Sequence, residues 1–241
     1  MSTNPIPLST EPQITNKILA ALPREEFERF EAKLKPVRLA LGETLYLPEQ
    51  KMEHVYFVTR GVVSLLAALE NGATVEAGVI GPEGMVGIPV VLGADSTPNQ
   101  ALVQGEGEAL RMSSNDVRIE FRNGGKLRDL TLRYTHTLFT QVAQTAACNR
   151  LHSIEQRLAR WLLLTQDRVD SHEFVLTQDF LSRMLGVRRA GVSVAATTLK
   201  QAGLIDYHRG TMMVVDRKGL ENYSCECYGI VRDEYDRYLQ A

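Results

Sequence analysis

The stretch from Phe174 to Ile205 constrains this chain most. Its apolar residues fall at helical spacing in two short runs, interrupted by Gly186. Phe180, Leu181, Met184 and Leu185 form an inward stripe on the first run; Val192, Ala195, Ala196 and Leu199 form one on the second. Thr177 suits an N-cap, with its hydroxyl accepting a free backbone N–H, and Asp179 suits the positive end of the same helix. Gly186 stands where the chain must leave the first helix, a position that favours a left-handed backbone. Arg188 and Arg189 open the second helix, where free N–H groups also favour phosphate. Ala190, Ser193, Val194 and Thr197 then face outward. Two helices at a tight turn, one basic at its start, are what a helix-turn-helix needs to enter a DNA groove. The plainer alternative is a pair of packed helices in some other domain.

The next segment favours the first reading. Leu204 to His208 and Met212 to Val215 are strand-like, and Arg209-Gly210-Thr211 lies between them. That is a hairpin with a basic tip, and directly after a recognition helix it serves as a wing. Arg209 could reach phosphate there. Net charge is −2 over the chain. Residues 171–218 nevertheless hold seven Lys or Arg against four Asp or Glu, a modest local excess. Such a balance fits a protein reading one site better than one that coats DNA.

Upstream the pattern changes. Residues 14–33 read as two short helices, the second opening at Pro23. From Lys35 to Met112, short apolar runs such as His54–Thr59, Val62–Leu69 and Ala101–Gln104 alternate with glycine turn signals, including Gly61. This predicts a small antiparallel barrel or jelly roll. A long helix is predicted from Lys126 to Arg150, with Leu127, Leu130, Tyr134, Leu138, Gln141, Thr145 and Cys148 near one face. Steps of three and four residues resemble a coiled-coil seam, with Gln141 setting register. The alternative is a helix buried on its own barrel. A further helix carries Ile154, Leu158, Trp161, Leu162 and Leu164 inward. The expected layout is α+β: a sensory barrel with N-terminal helices over 1–125, a dimerisation helix over 126–152, and a winged helix-turn-helix with a C-terminal helix over 153–241.

The order barrel, long helix, helix-turn-helix, wing resembles the Crp/Fnr family of bacterial transcription regulators along nearly the whole chain. The strongest local matches are Gly61-Val-Val-Ser-Leu, Ile154-Glu-Gln-Arg-Leu-Ala-Arg-Trp-Leu-Leu163 and Leu185-Gly-Val-Arg-Arg189. The resemblance implies a homodimer in which Leu127, Leu130, Tyr134, Leu138, Gln141 and Thr145 form the seam. It implies a two-fold symmetric duplex operator, contacted from Thr177, Gln178, Arg188, Arg189, Ala190, Ser193, Val194, Thr197, Lys200 and Arg209. RNA polymerase and an unidentified small-molecule effector are the further partners it suggests, the alternative to effector control being a barrel that has lost its ligand in a protein active without one. The competing reading is a small-molecule binding module whose helix-turn-helix contacts protein.

The departures from the family are informative. Members that bind cyclic AMP use a glutamate and an arginine in the barrel; here those positions fall near Ile88 and near Pro98 or Asn99. No Lys or Arg occurs between Arg60 and Arg111, and burying a phosphodiester without a cation is costly. Weak or no cyclic-nucleotide binding is therefore expected, and Glu83 reads as a turn residue after Pro82. An iron–sulfur cluster of the Fnr type needs four cysteines, whereas this chain has only Cys148, Cys225 and Cys227. His54 and His136 are the only histidines in the sensory half, which disfavours haem. Cys225-Glu-Cys227 offers two thiols that could bind metal or sense oxidants, but zinc would need more ligands, such as His208 or Cys148. The simpler expectation is two cysteines in a C-terminal helix or turn, with no metal and no cofactor. In the recognition helix Arg189 matches the family's first arginine, while Ala190 replaces a glutamate and Val194 a second arginine. A different operator follows, with Ala190 and Val194 suited to thymine methyl groups.

No P-loop, nucleophile elbow or two-histidine metal motif is present, so an enzyme is not expected. With no secretion signal, no apolar run near the ~20 residues of a membrane span, and few cysteines, a cytoplasmic location is the expectation.

Overall fold

The computed structural model describes residues 14–169, 171, 173–208 and 210–240. Two short helices, α1 (Lys17–Ala20) and α2 (Arg24–Glu31), lead into β1 (Lys35–Leu39), β2 (Thr44–Tyr46), β3 (His54–Ala68), β4 (Thr74–Ile80) and β5 (Met85–Val86). A single turn of helix, α3 (Ile88–Val91), precedes β6 (Asn99–Ser113) and α4 (Ser114–Asn123). These strands form one antiparallel sheet in the order β1-β6-β3-β4, with β2 added to β6 and β5 to β3.

The central pair, β3 with β6, is longer than the sequence suggests. The apolar runs either side of Gly61 were expected as separate strands; they form one strand of 15 residues, paired with β6 from His54 to Ala67. Register shifts on both sides of Gly61 bend the ladder without ending it. Gly61 has φ +93°, and a Cβ there would lie 2.6 Å from the Gly105 carbonyl oxygen. It is a point of close backbone approach inside a strand, which only glycine tolerates.

Helix α5 (Gly125–Leu151) runs 27 residues, about 40 Å, along the sheet. Its N-terminus is capped from a distance: the Glu26 carboxylate accepts from Leu127 N at 2.7 Å and Lys126 N at 3.0 Å. An anion at the positive end of a helix is stabilising. After a break at His152 and Ser153, α6 (Ile154–Gln166) begins with a capping box between Ser153 and Gln156. The chain continues through β7 (Glu173–Val175), α7 (Gln178–Leu185), α8 (Arg189–Gln201), β8 (Ile205–His208), β9 (Thr211–Val214), α9 (Arg217–Tyr223) and α10 (Cys227–Tyr238). Helix α6 is buried over most of its surface and packs against α8 and α9. The sheet β7-β9-β8 is the expected hairpin with a third strand, β7, which three residues were too few to reveal.

The seam expected on α5 is corrected. Leu127, Leu130, Tyr134, Leu138, Gln141 and Thr145 are all buried within this single chain. Helix α5 lays that face on β4 and α10. Gln141 clamps the barrel backbone: its Oε1 accepts from Val79 N at 2.9 Å and its Nε2 donates to Val79 O at 3.1 Å. The same Nε2 lies 2.6 Å from Tyr235 Oη on α10. A periodic apolar stripe shows that a face is buried but does not say against what. Here the protein's own barrel covers it.

Polar side chains also join the sheet to the C-terminal half. Glu83 follows Pro82 in a turn, as expected, and its Oε1 accepts from Gly81 N at 3.0 Å. It is also buried against Arg168 just beyond α6, an ion pair that sequence alone did not indicate. Separately, Ser64 Oγ lies 2.8 Å from Glu76 and 2.6 Å from Gln104 Oε1. Gln104 Nε2 in turn donates to Thr165 Oγ1 on α6 at 3.0 Å.

Candidate nucleic-acid interface and cavity

The local chemistry of residues 177–201 builds the expected pair of helices. Thr177 caps α7, its hydroxyl accepting from Phe180 N at 3.1 Å. Leu181, Met184 and Leu185 are buried, and Phe180 sets its ring edge-on to Trp161 of α6, with centroids 6.4 Å apart. Gly186 ends the helix at φ +61°. Its N–H bonds Arg183 O at 3.2 Å, and Val187 N bonds Ser182 O at 3.0 Å, which satisfies two of the free carbonyls at the end of α7. A Cβ on Gly186 would lie 2.9 Å from Val75 on β4, since α7 rests against the barrel.

Helix α8 buries Val192, Ala195, Ala196 and Leu199, as its spacing predicts. The opposite face carries Arg188, Arg189, Ala190, Val194 and Thr197 exposed, with Ser193 half-buried between them. Val194 is 61% exposed, a large fraction for an aliphatic side chain on a packed helix. Local bonds orient this face. Ser193 Oγ meets Gln178 Oε1 at 2.7 Å, Thr197 Oγ1 donates to Ser193 O at 2.8 Å, and Arg189 stands 3.6 Å from Asp179. Thr177 and Gln178 therefore share one surface with the start of α8. Lys200 lies apart from that cluster, bound at 2.5 Å to Asp206 at the base of the hairpin. Arg209 lies outside the described residues; His208 and Thr211 flank it at the ends of β8 and β9.

A second feature is a cavity of about 220 Å³ between the sheet and α5. Tyr46, Ile80, Met85 and Leu138 give it apolar walls, with Thr97, Asn99 and Thr135 as the polar exceptions. Ile88 and Asn99, which stand where charged ligand-binding residues were sought in sequence, both line it. Its described lining holds no charged side chain. Burial pushes the Tyr46 phenol up to about 12, so it too is neutral near neutral pH. Phe139 and Val142, from the outward side of α5, complete the wall.

The three cysteines named in the sequence are buried and unbridged. Cys148 meets Cys225, with 3.5 Å between sulfurs, whereas His208 stays in β8. His152, which sequence reasoning passed over, stands 3.7 Å from Cys227.

Comparison with known proteins agrees with this architecture. A cyclic nucleotide-binding domain family model matches residues 36–123, and a Crp-like helix-turn-helix domain model matches residues 156–223. A search of curated proteins found no match. Among solved structures, FixK2 from Bradyrhizobium japonicum superposes with a TM-score of 0.67 at 16% identity, covering 80% of this chain and 98% of its own. A CRP-family transcriptional regulator from Thermus thermophilus gives 0.64 at 18% identity, over 78% of this chain and 96% of its own. The c-di-GMP-responsive global regulator CLP of Xanthomonas campestris gives 0.61 at 18% identity, over 80% and 99%. Matched in both halves and in the order of its parts, the chain belongs to the Crp/Fnr family of transcription regulators, with a cyclic nucleotide-binding domain followed by a Crp-like helix-turn-helix DNA-binding domain.

Proposed function

We propose that the protein acts as a homodimer on a two-fold symmetric operator and reads each half-site with the outward face of α8. One observation carries this reading. Arg188, Arg189, Ala190, Val194 and Thr197 lie exposed on one helical face, beside a capped α7 and a hairpin. The two arginines suit guanine edges or phosphate; Ala190 and Val194 suit thymine methyl groups. Lys200 is a phosphate contact only if DNA displaces Asp206 from it. Titrating duplex DNA against the protein over a salt series tests the reading. Affinity falling steeply with salt supports DNA as the partner, and a salt-independent response favours a protein-contact role.

The dimer seam belongs on the other face of α5. Leu132 is 43% exposed and Phe139 71% exposed, seven residues apart, and Ala143 and Ala146 continue the stripe. Two heptad-spaced apolar side chains followed by alanines suit close approach of a second α5.

The effector is a small uncharged molecule held in the cavity, not a cyclic nucleotide. A phosphodiester there would lack a cationic partner, since the described lining supplies none. Phe139 and Val142 belong to both the cavity wall and the outward side of α5. A ligand in the cavity would therefore touch the seam itself. That contact gives it differential affinity for two arrangements of the dimer, as an allosteric effector requires.

A further inference from the structure

Cys148 lies in the last turn of α5, and His152 is the C-cap that follows it, its N–H donating to the Cys148 carbonyl at 3.1 Å. Cys225 and Cys227 flank Glu226 where the chain turns into α10. The three sulfurs and a ring nitrogen of His152 all lie within 4.8 Å of one another. We propose that these four residues form a Cys₃His site for one zinc-class ion, stapling the end of α5 to the start of α10.

The distances suit a single tetrahedral ion. Cys148 and Cys225 sulfurs are 3.5 Å apart, and Cys227 Sγ is 3.7 Å from His152 Nδ1. A tetrahedron with Zn–S near 2.3 Å and Zn–N near 2.0 Å has edges of roughly 3.5–3.8 Å. An iron–sulfur cluster is several atoms across and needs its thiolates spread more widely. A Cys148–Cys225 disulfide would use only two of the four groups and leave Cys227 and His152 unexplained.

The surroundings fit a metal-ligating histidine. Glu226 places its carboxylate 3.3 Å from His152 Nε2, on the far side of the ring from Cys227. A carboxylate that takes the proton on Nε2 leaves Nδ1 free to ligate, an arrangement that fixes ring and tautomer together. On binding, three thiols release their protons to solvent and the imidazole enters neutral, so the occupied site carries one net negative charge. Buried Arg160, held 3.3 Å from Thr145 one turn before Cys148, interacts electrostatically with Cys148 and Cys227 and offsets that charge. Sequence alone obscured the set, because its two halves lie 77 residues apart.

The location gives the ion a structural task. It lies at the break between α5 and α6, and it anchors α10, whose Tyr235 bonds Gln141 and whose Tyr238 donates to the Glu83 carbonyl. Holding α10 there ties the hinge between the two halves to the barrel.

Full-length protein purified under reducing conditions from zinc-replete cells is the material for the test. Elemental analysis should find about one zinc per chain, and cobalt exchange should give tetrahedral d–d bands with thiolate charge transfer. Cys148→Ser and Cys227→Ser should lose the metal. Glu226→Gln keeps all four ligands, and chelator competition should show zinc held about 10- to 100-fold more weakly. Three results would overturn the proposal: a folded chain that takes up neither zinc nor thiolate-ligated cobalt, iron with inorganic sulfide in place of zinc, or a Cys148–Cys225 disulfide in protein alkylated at lysis.

Discussion

The Arg168 guanidinium bonds Glu83 with 2.7 Å between Nε and Oε1, joining residues 85 apart in sequence. Both side chains are almost fully buried, and Arg168 also stacks 4.9 Å above the Tyr235 ring. Removing one partner of such a pair leaves a buried charge without compensation. Arg168→Met should therefore cost about 3–5 kcal/mol in urea unfolding. Adding Glu83→Gln to that variant should restore part of the loss. A double variant no more stable than Arg168→Met would mean that the pair's charges are not what the single change disturbs.

Glu76 predicts a pH dependence. It is buried, and desolvation pushes its carboxyl up to about 7, only partly opposed by its bond with Ser64 and by Arg160 and Arg168. Folded protein thus keeps this proton up to about pH 7, while the unfolded chain releases it near 4.5. The folded state binds more protons in that window, so stability falls as pH rises through it. The contribution is full below about 4.5, and ~3 kcal/mol is lost as pH climbs past the folded value. Unfolding free energies across this range should show that slope in the parent and a flatter one in Glu76→Gln. Identical slopes would contradict the assignment.

On α5 the two faces give opposite expectations. Phe139→Glu places charge on the outward stripe and should convert dimer to monomer in light scattering, with monomer stability changed by no more than about 0.5 kcal/mol. Leu138→Glu places charge under the barrel and should destabilise the fold itself, on the order of 3 kcal/mol or more. If Leu138→Glu gave a well-folded monomer, the inward assignment of that residue would be wrong.

On the proposed reading, Arg189, exposed in the first turn of α8, contacts a base edge. Arg189→Ala should cost ~1–3 kcal/mol per half-site and relax base preference at one position, measured by competition among operator variants. A uniform loss over all sequences would instead make Arg189 a phosphate contact.

What the sequence made legible was mostly local. Thr177 as a cap, Gly186 as a left-handed stop and the buried stripe of α8 depend on neighbours within a turn or two, so spacing alone reveals them. Gly61 misled because a strand that passes through a glycine depends on its partner, β6, far along the chain. The α5 stripe reads as a dimer seam, with burial on the chain's own barrel as the alternative, because period alone cannot distinguish a second copy from β4 and α10. The candidate site divides the same way. The exposed face of α8 could be read from sequence, whereas the Glu83–Arg168 pair and the meeting of His152 with three cysteines depend on tertiary packing.

A dimer that reads a symmetric sequence must pick that sequence out of a mixture. Selecting bound duplexes from a random pool with purified protein, near physiological salt, tests it most directly. Enrichment of a two-fold symmetric site is expected, with half-sites about one helical turn apart and Arg189→Ala relaxing one position in each. Repeating the selection with cell metabolites present covers a protein that needs its effector. Failure to enrich any sequence under both conditions, or enrichment of an asymmetric single half-site, would contradict it.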